Sequence, residues 1–364
     1  MLPELERALS ISHSRAGTFF LCISIGYFVS LLSSGFVSTR LGHKKTIVLC
    51  LLAIALSMFL ISMSPSLLLL QMAFFFTGIS TGLYLPSGIA TITSLYTTER
   101  RGKAFGIHEI APNLAFLTAP LITSWLLPIV GWQHITLLLS GVVCCTAITY
   151  ALIGRASPIK STPPDLAICK ELLSLPRFWL MVILFTMAIT ATHGIFSVLP
   201  LFLVNKHAMA AADANMLIGF SRSTTLVTAF LGGWMADRFG ALKTITVVML
   251  LTGSITALLG IVSGPMLSVI IWLQPMIAVC FFAPAFFLLS QVGSENGKKI
   301  VISLAIPMAF VFGGGVIPAA ITKMADLGYF SLALFLAGIF ITSGTLLIRL
   351  MPPQHQQTQE DSEH

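Results

Sequence analysis

The chain has 364 residues, of which 56% are hydrophobic and only 9% charged, with a mean hydropathy of +0.94. An ordinary soluble domain carries about 25% charged residues, so a water-soluble globule is excluded. The net charge of +7 would point to nucleic acid in a soluble protein. Here the cations are set between apolar runs, so they report orientation in a bilayer and no nucleic-acid partner is expected.

Residues 1–15 hold Glu4, Glu6 and Arg7 and lack the apolar core of a cleavable signal peptide. Long uncharged runs follow. Arg15 to Arg40 encloses 24 uncharged residues, Lys45 to Glu99 encloses 53, Glu109 to Arg155 encloses 45, Arg177 to Lys206 encloses 28 and Lys243 to Glu295 encloses 51. A hydrocarbon core of about 30 Å is crossed by roughly 20 apolar helical residues, so the longest runs must turn back. Each has a breaker near its middle: Ser64-Pro65-Ser66, Pro128 with Gly131, and Gly264-Pro265. Eleven spans are expected, near 16–38, 45–63, 67–95, 104–127, 133–153, 178–204, 213–236, 244–262, 266–291, 300–322 and 328–349. Backbone groups in lipid must pair within their own segment, which makes these helices and the protein all-α and polytopic.

Between the fifth and sixth spans, residues 154–176 mix Pro, Ser and cations and read as a cytoplasmic linker with a short interfacial helix at 165–173. The predicted domains are therefore an N-terminal bundle at 1–153, that linker, a C-terminal bundle at 177–351 and a disordered polar tail at 352–364. Placing the loop at Arg40–Lys45 in the cytoplasm gives the inside 15 Lys and Arg and the outside four: Arg7, Arg15, Lys206 and Lys323. That asymmetry puts the carboxyl end in the cytoplasm, and the expected location is a bacterial inner membrane. The six cysteines, one of them in a loop, lack metal-ligand spacing, and no nucleotide loop or nucleophile–base pair is present in the sequence. No enzyme activity, metal or cofactor is expected.

The two halves repeat. Gly35, Arg40, Gly42, Lys45, Thr46 and Ile47 recur 198 residues later as Gly233, Arg238, Gly240, Lys243, Thr244 and Ile245. Gly102, Lys103 and Pro112 recur as Gly297, Lys298 and Pro307 at an offset of 195. Parallel repeats related by an axis along the membrane normal are a recurrent transporter plan.

The chain resembles the major facilitator superfamily over essentially its whole length. The signature after that family's second and eighth helices, G-x-x-x-D-R-x-G followed by basic residues, is matched in full by Gly233, Asp237, Arg238 and Gly240. The first copy keeps Gly35, Arg40 and Gly42 but has Thr39 in place of the acid. The resemblance implies two pseudo-symmetric bundles on a six-plus-six plan, of which five plus six are expected here. Subtracting 198 from the span at 178–204 places the partner helix at about −20 to 6, so the first family helix is expected to be missing. The resemblance further implies that each motif is a latch, made and broken as the halves rock. Asp237 is expected to face residues 103–106, and Thr39 is expected to cap without charge.

Ionisable residues inside apolar spans are expensive and mark sites by default. Arg222 lies 15 residues before Asp237, about 22 Å along the helix, where a cation suits an anionic solute or bonds helix-end carbonyls. Its repeat partner is Ser24, so any clamp is one-sided. Glu109, beside His108, sits roughly 9–10 Å inside its helix, placed to pair with a latch cation or to take up protons. His193 falls mid-helix in a slot that lines the family's central cavity and suits proton coupling, solute binding or a structural bond. Tyr84 and Gln274 fall in cavity slots too. Phe74 stands where family antiporters carry an arginine, which argues against multidrug antiport. The expected function is secondary transport of a small anionic organic solute by alternating access, coupled to protons, by a monomer embedded in lipid. The alternatives are drug or metabolite efflux and a non-transporting protein of the same fold.

Overall fold

The computed structural model describes residues 2–64, 66–157 and 166–350, apart from the side chains of Thr98, Glu99, Arg101, Gly102, Lys103, Phe105, Gly106, Glu109 and Lys299. The tail at 352–364 and residues 158–165 of the linker therefore lie outside the described residues. Every regular element in the described residues is helical. A short helix, Leu2–Leu9, precedes His13–Leu41, His43–Met63 and a rod built of Leu67–Gly82 and Tyr84–Leu95. Thr98–Ile153 is two helices broken at Gly131, where φ is 73°. The linker carries Leu166–Ser174, one residue beyond the expected 165–173. The second half comprises rods at 176–207, 211–239, 241–259, 265–289, 295–326 and 330–348. Nine helices among the described residues are long and apolar enough to cross a membrane.

Local chemistry explains the boundaries. Ser12, Ser66 and Ser294 each accept a bond from the amide three residues on, which supplies an acceptor to an otherwise orphan helix-start donor. Gly264 turns the chain at φ 67° and Pro265 opens the next helix, where its missing N–H costs nothing. The two repeated motifs form the same turn twice. Gly42 (φ 76°, ψ 160°) donates to the Ser38 carbonyl, and Gly240 (φ 90°, ψ 145°) donates to the Ala236 carbonyl. Thr46 and Thr244 then return their hydroxyls to those glycine carbonyls at 2.9 Å. Only glycine adopts this backbone without strain.

Packing differs along the chain. Helix 13–41 lies on 67–82, and 43–63 on the 98–153 segment, while 241–259 lies on 330–348. Rod 176–207 is buried over 78% of its most apolar window, against 28% for 13–41 and 22% for 110–153, so it is the axis of the second half. One apolar cluster gathers around its first part (Phe178, Phe185, Phe281, Ala305) and another around its last (Ile195, Phe202, Ile271, Phe330). Between helices in lipid these contacts hold by dispersion and fit, because lipid is as apolar as leucine. Contacts between the halves run along 13–41 with 295–326 and along 98–153 with 211–221.

Candidate functional site

Two helices depart from α geometry where they meet in the second half. Rod 176–207 contains a π-turn at Thr190–Gly194 and rod 295–326 contains another at Val311–Val316. The two touch, and a Cβ at Gly194 would press on the Gly313 carbonyl. Such turns are rare and concentrate at functional positions, because the extra residue turns carbonyls out of the regular ladder. Two carbonyls of the first π-turn receive side-chain donors from other helices. Gln274 Nε2 donates to Ala191 O at 2.8 Å, and Arg222 Nη2 donates to Thr192 O at 2.7 Å.

Arg222 opens a 3-10 turn, Arg222–Thr224, inside rod 211–239. Its guanidinium lies 4.4 Å from the Phe196 ring centroid and 5.3 Å from that of Phe116. It is only 6% exposed, and no carboxylate among the described residues pairs with it. Cation–π contacts and one carbonyl offset part of the cost of burying the charge, and the site stays net positive. The gap lined by Arg222, Gln274, Ser221 and Phe196 measures about 10 Å³, too small for a solute in this conformation.

His193 joins the same group from within the π-turn, with ring centroids 4.9 Å from Phe116 and 5.4 Å from Phe310. Phe310 in turn meets Tyr27 at 5.4 Å, and the Thr225 hydroxyl donates to Asn113 Oδ1 at 3.5 Å. Phe116, Asn113 and Tyr27 come from the first half of the chain, so the site sits on the seam between the halves. Tyr84 and His108 form a separate pair within the first half, hydrogen-bonded at 3.0 Å with nearly parallel rings. The side chain of Glu109 is among those not described. Ser24, the repeat partner of Arg222, packs against Gly315 of the second π-turn. Phe74 packs on Phe19 at 4.7 Å between centroids.

Arg238 lies over its own Trp234 and Phe239, 5.7 and 5.8 Å from their centroids. Asp237 and Arg40 are exposed, and Asp237 has no ion pair among the described residues. Residues 103, 105 and 106 of its expected docking segment are among those whose side chains are not described. The Thr39 hydroxyl donates to the Gly35 carbonyl at 2.7 Å. At Gly233 a Cβ would make only an ordinary contact with Ala283 Cβ at 3.8 Å, and the close approach belongs to its neighbour Gly232, where a Cβ would strike the Cys280 backbone. Gly42 and Gly240 serve the turns.

At the opposite end a contact forms that sequence reading missed. Both Asp326 carboxylate oxygens accept backbone N–H groups at the start of helix 13–41, from His13 at 2.8 Å and Ser14 at 2.9 Å. The His13 ring meets Glu6 at 2.9 Å. Glu6 is buried, and burial raises its carboxyl above the ordinary carboxylate range despite the lowering effect of His13. An acid among apolar residues signals burial only when its helix is seen packed.

Stacked apolar helices in two halves, with a buried cation on the seam, define the membrane-carrier class. The Major Facilitator Superfamily model matches residues 1–297, and the chain belongs to that superfamily, a family of transporters and not of enzymes. A probable nitrate transporter, NarT, of Staphylococcus carnosus is 25% identical over 95% of this chain and 84% of its own length. The nitrite extrusion protein of Bacillus subtilis is also 25% identical, over 87% of this chain and 76% of its own. Among solved structures, a bacterial homolog of the human lysosomal transporter Spinster, in an inward-facing and unoccupied conformation, superposes with a TM-score of 0.80. It is 14% identical, covering 96% of this chain and 91% of that one, a likeness of fold.

Proposed function

We propose that the chain carries a small oxyanion of the nitrate or nitrite class across the membrane by alternating access, with Arg222 as the anion-binding group. The observation that carries this reading is a guanidinium 6% exposed, without a carboxylate partner among the described residues and seated on the seam between the halves. A buried charge is tolerated when it is paired, and an anionic solute is the partner that moves. The names of the relatives supply the class, and planar oxyanions suit a guanidinium fork. In this reading 1–153 and 177–351 are the rocking bodies, and His193 is the group for proton coupling beside the site. The inner-membrane location, cytoplasmic carboxyl end and monomeric state follow the cation distribution and the family plan. The Asp326 contact with the start of helix 13–41 supports a conformation closed on the His13 side.

The test is nitrate binding and uptake by the purified chain in proteoliposomes. Arg222→Gln is expected to weaken nitrate binding about 100-fold, as loss of a charged hydrogen-bonding partner does, while the protein remains folded. Undiminished nitrate affinity in that variant removes the assignment.

A further inference from the structure

The π-turn at Thr190–Gly194 is held from outside its own helix. Gln274, 3% exposed, stands in rod 265–289 and spends its amide donor atom on two acceptors. Nε2 donates to Ala191 O at 2.8 Å and to the Thr256 hydroxyl at 3.2 Å. A planar amide with both N–H directions engaged has no freedom to turn toward a solute, and the gap it shares with Arg222 holds about 10 Å³. The carbonyl next in sequence to the one it holds is Thr192 O, the acceptor of Arg222.

We infer that Gln274 is a positioning residue for Arg222, acting through the π-turn and not by touching the solute. The inference rests on the anion-site reading above. Its physical basis is register. Relaxing a π-turn into α geometry removes the extra residue from the ladder, turning one flank of the helix by about 100° against the other. Thr192 O then leaves the guanidinium, which loses the acceptor fixing its plane against Phe116 and Phe196. The hold on Ala191 O opposes that relaxation, because releasing it leaves a buried carbonyl short of a partner and a buried amide with it. The Thr256 branch of the same amide steers the side chain but does not touch the turn.

The experiment uses nitrate as the probe on the full chain in proteoliposomes. Gln274→Met keeps length and volume while deleting the donors. It is expected to weaken nitrate binding roughly tenfold, the scale of one hydrogen bond to a charged group's support, with half-saturation rising and the maximal rate changing less. Thr256→Val removes the other acceptor and is expected to keep nitrate affinity within about threefold, since the Ala191 bond survives. In the Arg222→Gln background, Gln274→Met is expected to add no further loss, because the residue acts only through that arginine. A merely structural glutamine would lower thermal stability in Gln274→Met and Thr256→Val alike and leave the nitrate affinity of the folded fraction unchanged. That outcome, or additive losses in the double variant, overturns the inference while leaving the anion site standing. If Gln274→Met does not fold, Gln274→Asn, which keeps the amide but shortens its reach, carries the same expectation of weakened nitrate binding, and wild-type affinity there overturns it. Retained nitrate affinity in Arg222→Gln alone removes the reading beneath both.

Discussion

Arg222 was legible because a cation interrupts the apolar run from Met216 to Met235. Its surroundings were not. Phe116 and Phe196 are two of 26 phenylalanines, and nothing in their spacing separates a ring that faces a guanidinium from one that faces lipid. Their role belongs to the tertiary link, and it has a measurable size. Phe196→Leu keeps the apolar bulk but deletes the ring quadrupole, and should lower stability by about 1 kcal/mol. Saturating nitrate should narrow that deficit in thermal unfolding, since the bound anion takes over compensation of the charge. Gln274 was singled out as a polar group in a cavity slot, and its bond to a π-turn carbonyl was not legible in composition. A buried amide is as readily recruited by irregular backbone as by a solute, and only the helix register tells them apart.

At the level of elements, charge spacing located the rods well because the bilayer imposes one length on every crossing segment. Gly131 and Gly264 both break the chain where turn residues were recognised, each with positive φ. The π-turns left no comparable trace. They lie where rods 176–207 and 295–326 touch; TATHG reads as regular helix, and the glycines of VFGGGV signal only a weak helix. The repeated turns make the clearest prediction at this scale. Gly42 and Gly240 share a backbone region open to glycine alone, so Gly42→Ala and Gly240→Ala should each cost about 1–3 kcal/mol. Matched drops in thermal midpoint would check the equivalence of the two turns, and a neutral Gly240→Ala would contradict it.

For the whole molecule, the repeat of 198 residues and the family signature carried the fold, whereas the contact at the His13 end joins residues far apart in sequence that no motif links. Asp326 there serves as an N-terminal cap supplied by the other half of the chain, where a carboxylate also suits the positive end of the helix. Glu6 adds a pH dependence of definite sign. Its folded carboxyl titrates above the ordinary value of 4.5, with burial the largest cause. Its contribution is therefore complete below the ordinary carboxylate range and is lost as pH rises through the raised folded value. Glu6→Gln should flatten that decline and raise the thermal midpoint at neutral pH. A midpoint that falls in Glu6→Gln instead would mean the bond to His13 outweighs the desolvation.

The unpaired guanidinium also has an electrical consequence. Under the anion-site reading, a carrier without cargo holds one uncompensated positive charge deep in the low-dielectric layer, and a monovalent anion cancels it. A membrane potential exerts up to about 2.3 kcal/mol per 100 mV on a unit charge that crosses the full field. With His193 unprotonated the loaded stroke is then nearly indifferent to voltage, and the return of the empty carrier becomes the electrogenic leg, drawn toward the negative side of the membrane.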